Sequence, residues 1–385
     1  MHQRLPLLLA FGVFGMLFGV WQVVLPDLTL AVGIDDAQLG LALTLGAGAS
    51  LPSMWVAGRA VDRFGAKRIL YLTSLSMAVC YAAFATIPGY LALIGILLVF
   101  YGSSGAFDIA INAAAIAHER AAGRHFMTSL HAAFSGGALV GAIGAGGLLT
   151  AGVPFNLLYL IVPGGLAATA LVIRASELGD QSAAEPADGG APASSGTPVR
   201  RRAWSFLLVA LGIVAAMATL SEGALESWTA IYLRLTLGFP ATLGVAGVAA
   251  FHAAMVVGRL TGGRVVARIG RRGTLLAGGA LALVAMPLAL ATTEPLVVLA
   301  GFFLVAIGLS SLFPIAISMA GALHGGRGQA AATVMTLGYA GFLVGPALIG
   351  GLAALVSLRI ALLVVAVAGL VTILIAARPL RRIHG

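Results

Sequence analysis

The sequence predicts an all-α polytopic membrane protein, with twelve transmembrane helices arranged as two pseudo-twofold-related six-helix bundles. Three observations carry that reading. The 385 residues are 60% hydrophobic and only 9% charged, with mean hydropathy +1.05. Soluble domains are about 25% charged and need that polarity to cover a wetted surface. The apolar residues fall in long runs without the alternation of a barrel strand, and the basic residues gather in one set of loops. The same composition excludes disorder, a collagen-like repeat and a disulfide-stapled domain. The one cysteine, Cys80, lies in an apolar run.

A spanning helix needs about 20 largely apolar residues. Twelve stretches qualify: 5–30, 37–60, 69–87, 91–117, 127–151, 153–173, 204–232, 240–266, 274–292, 295–321, 330–355 and 357–377. The first could be mistaken for a signal peptide. No small-residue cleavage site with a polar sequel follows, and the run continues through Trp21–Leu30, so it reads as helix one. With a cytoplasmic amino terminus, every Lys and Arg of the 22 except Arg234 and Arg359 falls on the inner side. That is the positive-inside bias. The net charge of +9 is then a topology signal and not a nucleic-acid footprint, and both termini are expected in the cytoplasm.

The stretch 174–203 is the only part with soluble-looking composition, rich in Ala, Ser, Gly and Pro and ending in Arg200–Arg202. It reads as a flexible cytoplasmic linker between an amino-terminal bundle (1–173) and a carboxy-terminal bundle (204–385). The bundles repeat each other. Gly58-Arg-Ala-Val-Asp-Arg-Phe-Gly-Ala-Lys-Arg68 follows span two, and Gly263-Arg-Val-Val-Ala-Arg-Ile-Gly-Arg-Arg272 follows span eight. Span five holds GGALVGAIGAGG and span eleven AGFLVGPALIGG, at nearly the same offset. A duplicated six-span unit of this kind is the parallel repeat of transporters, whose binding cavity lies at mid-membrane between the halves.

The string GRAVDRFGAKR resembles the signature of the major facilitator superfamily between helices two and three. Gly58 is expected to permit close helix approach and Gly65 a tight turn. The resemblance implies a conformational latch made of Gly58, Asp62, Arg63, Gly65, Arg68 and Arg120. In it, Asp62 engages the positive amino-terminal end of span eleven, near Gln329–Thr333, when the inner side is closed. The other reading of Arg63, Lys67 and Arg68 is that they only hold the loop inside. In the second copy Ala267 replaces Asp62, so only the first copy can carry the acidic latch.

A charge at bilayer centre costs about 2.5–3.5 kcal/mol on insertion scales, so each one requires a reason. In span four, Tyr101, Ser104, Asp108, Asn112 and Glu119 recur at helical spacing on one face. Span seven carries Glu222 and Glu226 one turn apart, with Trp228 and Thr229 beside them. Span one offers Trp21 and Gln22, and span ten Ser310, Ser311, Pro314 and Ser318. Asp108 is the expected proton-coupling residue, joined by Glu222, Glu226 and His131, because desolvation disfavours an ionised carboxylate and makes proton exchange feasible. Trp21, Gln22, Tyr101, Ser104, Asn112, Trp228 and Ser311 are the candidate substrate-binding residues. The alternatives are structural: an interhelical bond from Asp108 to His131, simple solvation of Glu226, and interfacial anchoring by the two tryptophans. Arg259 and Arg264 are expected to snorkel to the inner interface, with a gate salt bridge as the second reading.

The stretch GSSGAFDIAINAAAIAHERAAGRHFMTSLHAAFSGGA also resembles helices four and five of the fucose-permease-like bacterial branch of that superfamily. That resemblance covers nearly the whole chain outside the linker, and implies that spans one, four, seven and ten line the cavity. It also implies a multi-pass protein of a bacterial plasma (inner) membrane. Where fucose permease has an aspartate in helix one, this chain has Gln22. The expected function is proton-coupled secondary transport of a small polar, sugar-like solute by alternating access, as a monomer. A drug or metabolite efflux antiporter and a non-transporting membrane sensor are the alternatives. The chain has no H-E-x-x-H, no G-x-S-x-G and no glycine-rich phosphate loop, so no enzyme, cofactor, metal or ATP-driven pump is expected.

Overall fold

The structure is a computed structural model that describes residues 5–122, 127–176, 198–323 and 328–377. Among these residues there are helices and no strand. The chain divides into two compact units, Met1–Gly189 and Gly190–Gly385.

The first unit comprises α1 (Leu5–Val32), α2 (Asp36–Phe64), α3 (Ala66–Phe84), α4 (Tyr90–Ala122), α5 (Met127–Thr150) and α6 (Phe155–Ala175). The second comprises α7 (Pro198–Ile231), extended by a π-helical turn (Tyr232–Thr236), then α8 (Ala241–Leu290), α9 (Pro295–Leu309) and α10 (Leu312–Leu323). It ends with α11 (Gly328–Leu355), the single turn α12 (Leu358–Ala361) and α13 (Val364–Ala377). Helix thus reaches into both ends of the expected linker. Pro198 can open α7 because the first helical N–H has no partner to lose. The rest of the linker lies outside the described residues.

Among the described residues, ten stretches are long and apolar enough to cross a membrane. One of them is α8, whose 50 residues measure about 75 Å at the α-helical rise, against a hydrocarbon layer of about 30 Å. Gly270 (φ 72°, ψ 167°) interrupts it, so α8 holds the predicted spans eight and nine. The helix α3 falls short in apolarity because Lys67 and Arg68 open it. Counting it as a span agrees with the expected twelve. Predicted span ten is divided at Ser310–Ser311 into α9 and α10. Pro314 has no N–H to return to the Ser310 carbonyl and its ring crowds that carbonyl.

Local chemistry sets the ends of these helices. Asp35 and Gln38 form a capping box at the start of α2: the Gln38 N–H donates to Asp35 Oδ1 at 2.8 Å, and the Asp35 N–H donates to Gln38 Oε1 at 3.1 Å. The expected tight turn is present at Gly65, whose φ of 81° is strained for any side-chain-bearing residue. Its repeat equivalent is Gly270, so both copies of the motif turn on a positive-φ glycine. Gly58 behaves differently from expectation. A Cβ there would meet open space, so close helix approach does not explain it.

Packing follows the same scheme in each unit. Helix α1 lies along α5, α2 along α4, and α3 against both α4 and α6. In the second unit α7 lies along α11, and α8 packs on α9 and α13. Lipid tails are as apolar as the side chains, so close backbone approach through small residues supplies the attraction. A Cβ on Gly15 or Gly19 would collide with the α5 backbone at Phe134 and Ala138, and one on Gly137 or Gly141 with the α1 backbone at Gly12 and Met16. The equivalent seam has Gly341 against Ala216 and Gly345 against Leu220, reinforced by Thr219 Oγ1 donating to the Gly338 carbonyl at 2.5 Å.

A basic residue two positions after each turning glycine fastens its unit. Lys67 Nζ donates to the Ser176 carbonyl at the end of α6 at 2.7 Å. Arg272 Nε and Nη2 donate to the Ala376 and Ala377 carbonyls at the end of α13, at 2.8 and 3.2 Å. A cation there satisfies orphan carbonyls and opposes the negative end of the helix dipole.

Two outcomes are expected. Gly141→Leu destabilises the protein by about 1–3 kcal/mol or prevents folding, while Gly144→Leu on the same helix, where a Cβ meets nothing, leaves thermal unfolding in detergent nearly unchanged. Arg272→Gln lowers stability by about 1 kcal/mol, and Arg272→Lys restores part of it in the same assay.

Candidate functional site

In the first unit the polar face of α4 is as the helical spacing implies. Ser104 is buried, and Tyr101 sets its ring against α2 at Gly46 and edge-on to Phe100, 5.4 Å between centroids. Asp108 and Asn112 are half-buried and joined to each other. Asn112 Nδ2 donates to Asp108 Oδ1 at 3.0 Å and to the Asp108 carbonyl at 2.8 Å. The described carboxylate partner is therefore on the same helix. His131 of α5 is exposed and sets its ring edge-on to Phe11 of α1, centroids 5.4 Å apart.

Trp21 and Gln22 of α1 are each 3% exposed. Trp21 packs among Phe84, Phe100 and Tyr159, with centroids 5.0, 6.3 and 6.4 Å away. Its ring is committed to the aromatic core of this unit. Both the expected open stacking face and the interfacial anchor give way to packing, because burying so large a ring outweighs exposing it. Tyr81 joins the same cluster and donates its hydroxyl to the Leu17 carbonyl.

In the second unit Glu222 of α7 meets Arg259 of α8, with Nη2 to Oε1 at 3.0 Å and side chains 23% and 36% exposed. Arg259 does not simply reach outward: the salt-bridge reading holds. Glu222 occupies the middle of the Phe206–Thr236 span. Glu226, one turn on, lies in the field of both Glu222 and Arg259, and buried His252, two turns before Arg259 on α8, lies in that arginine's field as well. Trp228 is fully buried, which again removes the open stacking face.

Span ten enters the same neighbourhood. Gly258 and Gly262 bracket Arg259 along α8, and a Cβ on either would strike Ser310 or Ser311. The glycines thus seat the broken part of span ten against the helix that carries the arginine. Ser311 is half-buried there, while Ser310 is buried and donates to the Ile307 carbonyl at 2.7 Å.

The motif that joins the end of α2 to the start of α3 is exposed at Asp62, Arg63 and Arg68. The guanidinium groups of Arg63 and Arg68 stand 5.2 and 5.6 Å from the Phe64 ring centre. The Arg120 side chain lies outside the described residues. The sequence reading underrated Arg259. Its signal was an arginine set between glycines in an apolar run, with two acids in the adjoining span.

Comparison with known proteins agrees with this architecture. The pattern of the Major Facilitator Superfamily matches residues 7–285 and 246–383. An uncharacterised MFS-type transporter of Yersinia pestis is 31% identical over 383 residues, covering 99% of this chain and 96% of that protein. Among solved structures, the nucleoside transporter NupG superposes with TM-score 0.76 at 12% identity, over 100% of both chains. A bacterial homologue of the human lysosomal transporter Spinster superposes with TM-score 0.75 at 16% identity, covering 99% and 97%. At such identities the two structures speak for the fold alone. With the family pattern spread along the whole chain, this protein belongs to the Major Facilitator Superfamily of multi-pass membrane transporters.

Proposed function

We propose that the chain is a secondary active carrier, moving a small polar, hydroxyl-bearing solute by alternating access and in company with protons. The observation that supports this most directly is chemical. Carboxyl groups stand within the spans of both units, each against a polar partner, in a chain that is otherwise nearly uncharged along its apolar lengths. Intramembrane ionisable groups mark ion and substrate pathways because placing them there is costly.

In this reading Asp108 loads and releases the proton. Asn112 supports it in both forms, since a primary amide can donate to a carboxylate and accept from a carboxylic acid. Tyr101, Ser104 and Ser311 supply hydroxyl groups to the solute. Glu222, Glu226 and Arg259 form the charged group of the second unit, which governs what accompanies the proton. The two basic motifs, one in each unit, support a reading with both termini in the cytoplasm. The polar face of α4 argues against the greasier cavity of a drug exporter.

Asp62 takes the latch role of the family motif. It is exposed, in the last turn of α2 just before the turn at Gly65.

The purified chain in proteoliposomes with an internal pH dye, screened against polar solutes, is expected to move protons with its solute. Asp108→Asn lowers that proton flux by at least roughly tenfold while solute binding persists. Wild-type flux in the variant removes Asp108 from coupling, and no transported solute across the library favours a sensor. Asp62→Asn is expected to raise thiol labelling of inner-side cysteine probes by about two- to fivefold, the population equivalent of a carboxylate's 0.3–1 kcal/mol at a helix amino terminus. Equal labelling on both sides before and after overturns the latch.

A further inference from the structure

We propose that Trp55 and Arg59, with Arg63 one turn on, form a binding site on α2 for the phosphate of an anionic phospholipid. The site lies wholly within the first unit and is independent of what the protein carries.

Placement is the first argument. Leu41, Leu45, Trp55, Val56, Arg59 and Arg63 share one face of α2, and all are exposed, Trp55 to 65%. With leucine, valine and tryptophan turned outward along a spanning helix, this face meets lipid tails. From Asp36, the charged start of α2, to Trp55 is about 28 Å at the helical rise. The hydrocarbon layer is about 30 Å thick. Trp55 therefore stands where hydrocarbon ends, and Arg59, one turn further, stands at the level of the lipid phosphates.

The second argument is the geometry of the arginine. Arg59 Cζ lies 3.3 Å from the centre of the Trp55 ring, and Nη1 donates to the Trp55 carbonyl at 3.3 Å. The stack and the hydrogen bond together hold the guanidinium flat against the indole. Its Nε and Nη2 engage no protein acceptor among the described residues. Those two donors form one edge of the fork, which matches two oxygens of a phosphate. An arginine already held in place loses little freedom when it binds. Neither Arg59 nor Arg63 has a carboxylate partner among the described residues, although Asp62 adjoins them, so their charge is left for a ligand.

Comparison of the two copies supplies the third argument. At the repeat offset, Arg264 and Arg268 of α8 correspond to Arg59 and Arg63, and both are exposed. Leu260 stands where Trp55 does, and among the described residues no ring stacks on Arg264. Holding a loop on one side of a membrane requires charge and not an aromatic ring. The second copy meets that requirement without one, so the Trp55 stack serves something further. A free phosphate would use the arginines and leave the outward indole and leucines unanswered. A phospholipid answers both, with its phosphate on the fork and its acyl chains along the apolar part of the face. An anionic headgroup fits best, since it brings no amine to compete with the arginines.

The test uses the purified full chain in phosphatidylcholine nanodiscs. Into these is titrated phosphatidylglycerol or phosphatidylcholine brominated near the glycerol end of the acyl chains. Bromine quenches tryptophan fluorescence on contact, and subtracting the Trp55→Phe variant isolates the Trp55 signal. Wild type is expected to reach half quenching with about tenfold less brominated phosphatidylglycerol than brominated phosphatidylcholine. Arg59→Gln cuts that ratio about fivefold, the share of one arginine at an anionic surface, and Arg59→Lys retains part of it. Arg264→Gln, which removes the same charge from the second copy, leaves the ratio unchanged. The ratio compares two lipids on one protein, so a ring that merely shifts when Arg59 is lost does not alter it. Equal quenching by both lipids in wild type overturns the proposal. So does a ratio that survives in Arg59→Gln/Arg63→Gln, or one that falls equally in Arg264→Gln, the mark of diffuse attraction. Loss of the ratio on adding millimolar glycerol phosphate assigns the arginines to a soluble phosphate and overturns the lipid site as well.

Discussion

The hydrocarbon layer offers no water to a donor, an acceptor or a charge, so every polar group along the apolar lengths of this chain has to be answered from within the protein. The helix is the first answer, because it closes the backbone on itself. Serines and threonines follow the same rule by donating to the carbonyl one turn back, as Thr29 does to Leu25, Ser74 to Leu70 and Ser221 to Met217. Tyr81 donates across to α1 at Leu17, and Thr219 across to α11 at Gly338. Groups too strongly charged for this solution are paired, as Glu222 is with Arg259, or reach a helix end, as Lys67 and Arg272 do.

The same constraint accounts for the glycines. Where burial of apolar surface supplies no net attraction between helices, contact density has to, and contact density rises as backbones approach. The α1–α5 and α7–α11 seams use this device at equivalent places in the two units. At the tight turn after the second span of each unit, Gly65 and Gly270 adopt the same left-handed backbone, and the basic residue two positions later fastens the end of the unit's last helix. The copies have kept this mechanical part while diverging in charge: Asp62 stands in the first where Ala267 stands in the second.

The two units differ most in how they hold their acids. Asp108 is supported along one helix, by Asn112 a turn away. Glu222 is supported between helices, by Arg259 of α8. An intrahelical support survives small shifts between helices unchanged, whereas an interhelical ion pair registers them.

Membrane residence, the repeated motif, the turning glycines and the polar face of α4 were legible in the linear order of residues. Each depends on composition or on helical spacing, which are local properties. What Trp21, Gly58 and Arg259 do was not legible. A tryptophan in an apolar helix serves equally well as anchor, stacking face or core, and only the positions of Phe84, Phe100 and Tyr159 made it core. An arginine near a helix end reads as snorkelling until a neighbouring helix brings a carboxylate to 3.0 Å. Burial and pairing are relations between distant segments, so they are decided where helices meet, and the residues could announce only that such partners were needed.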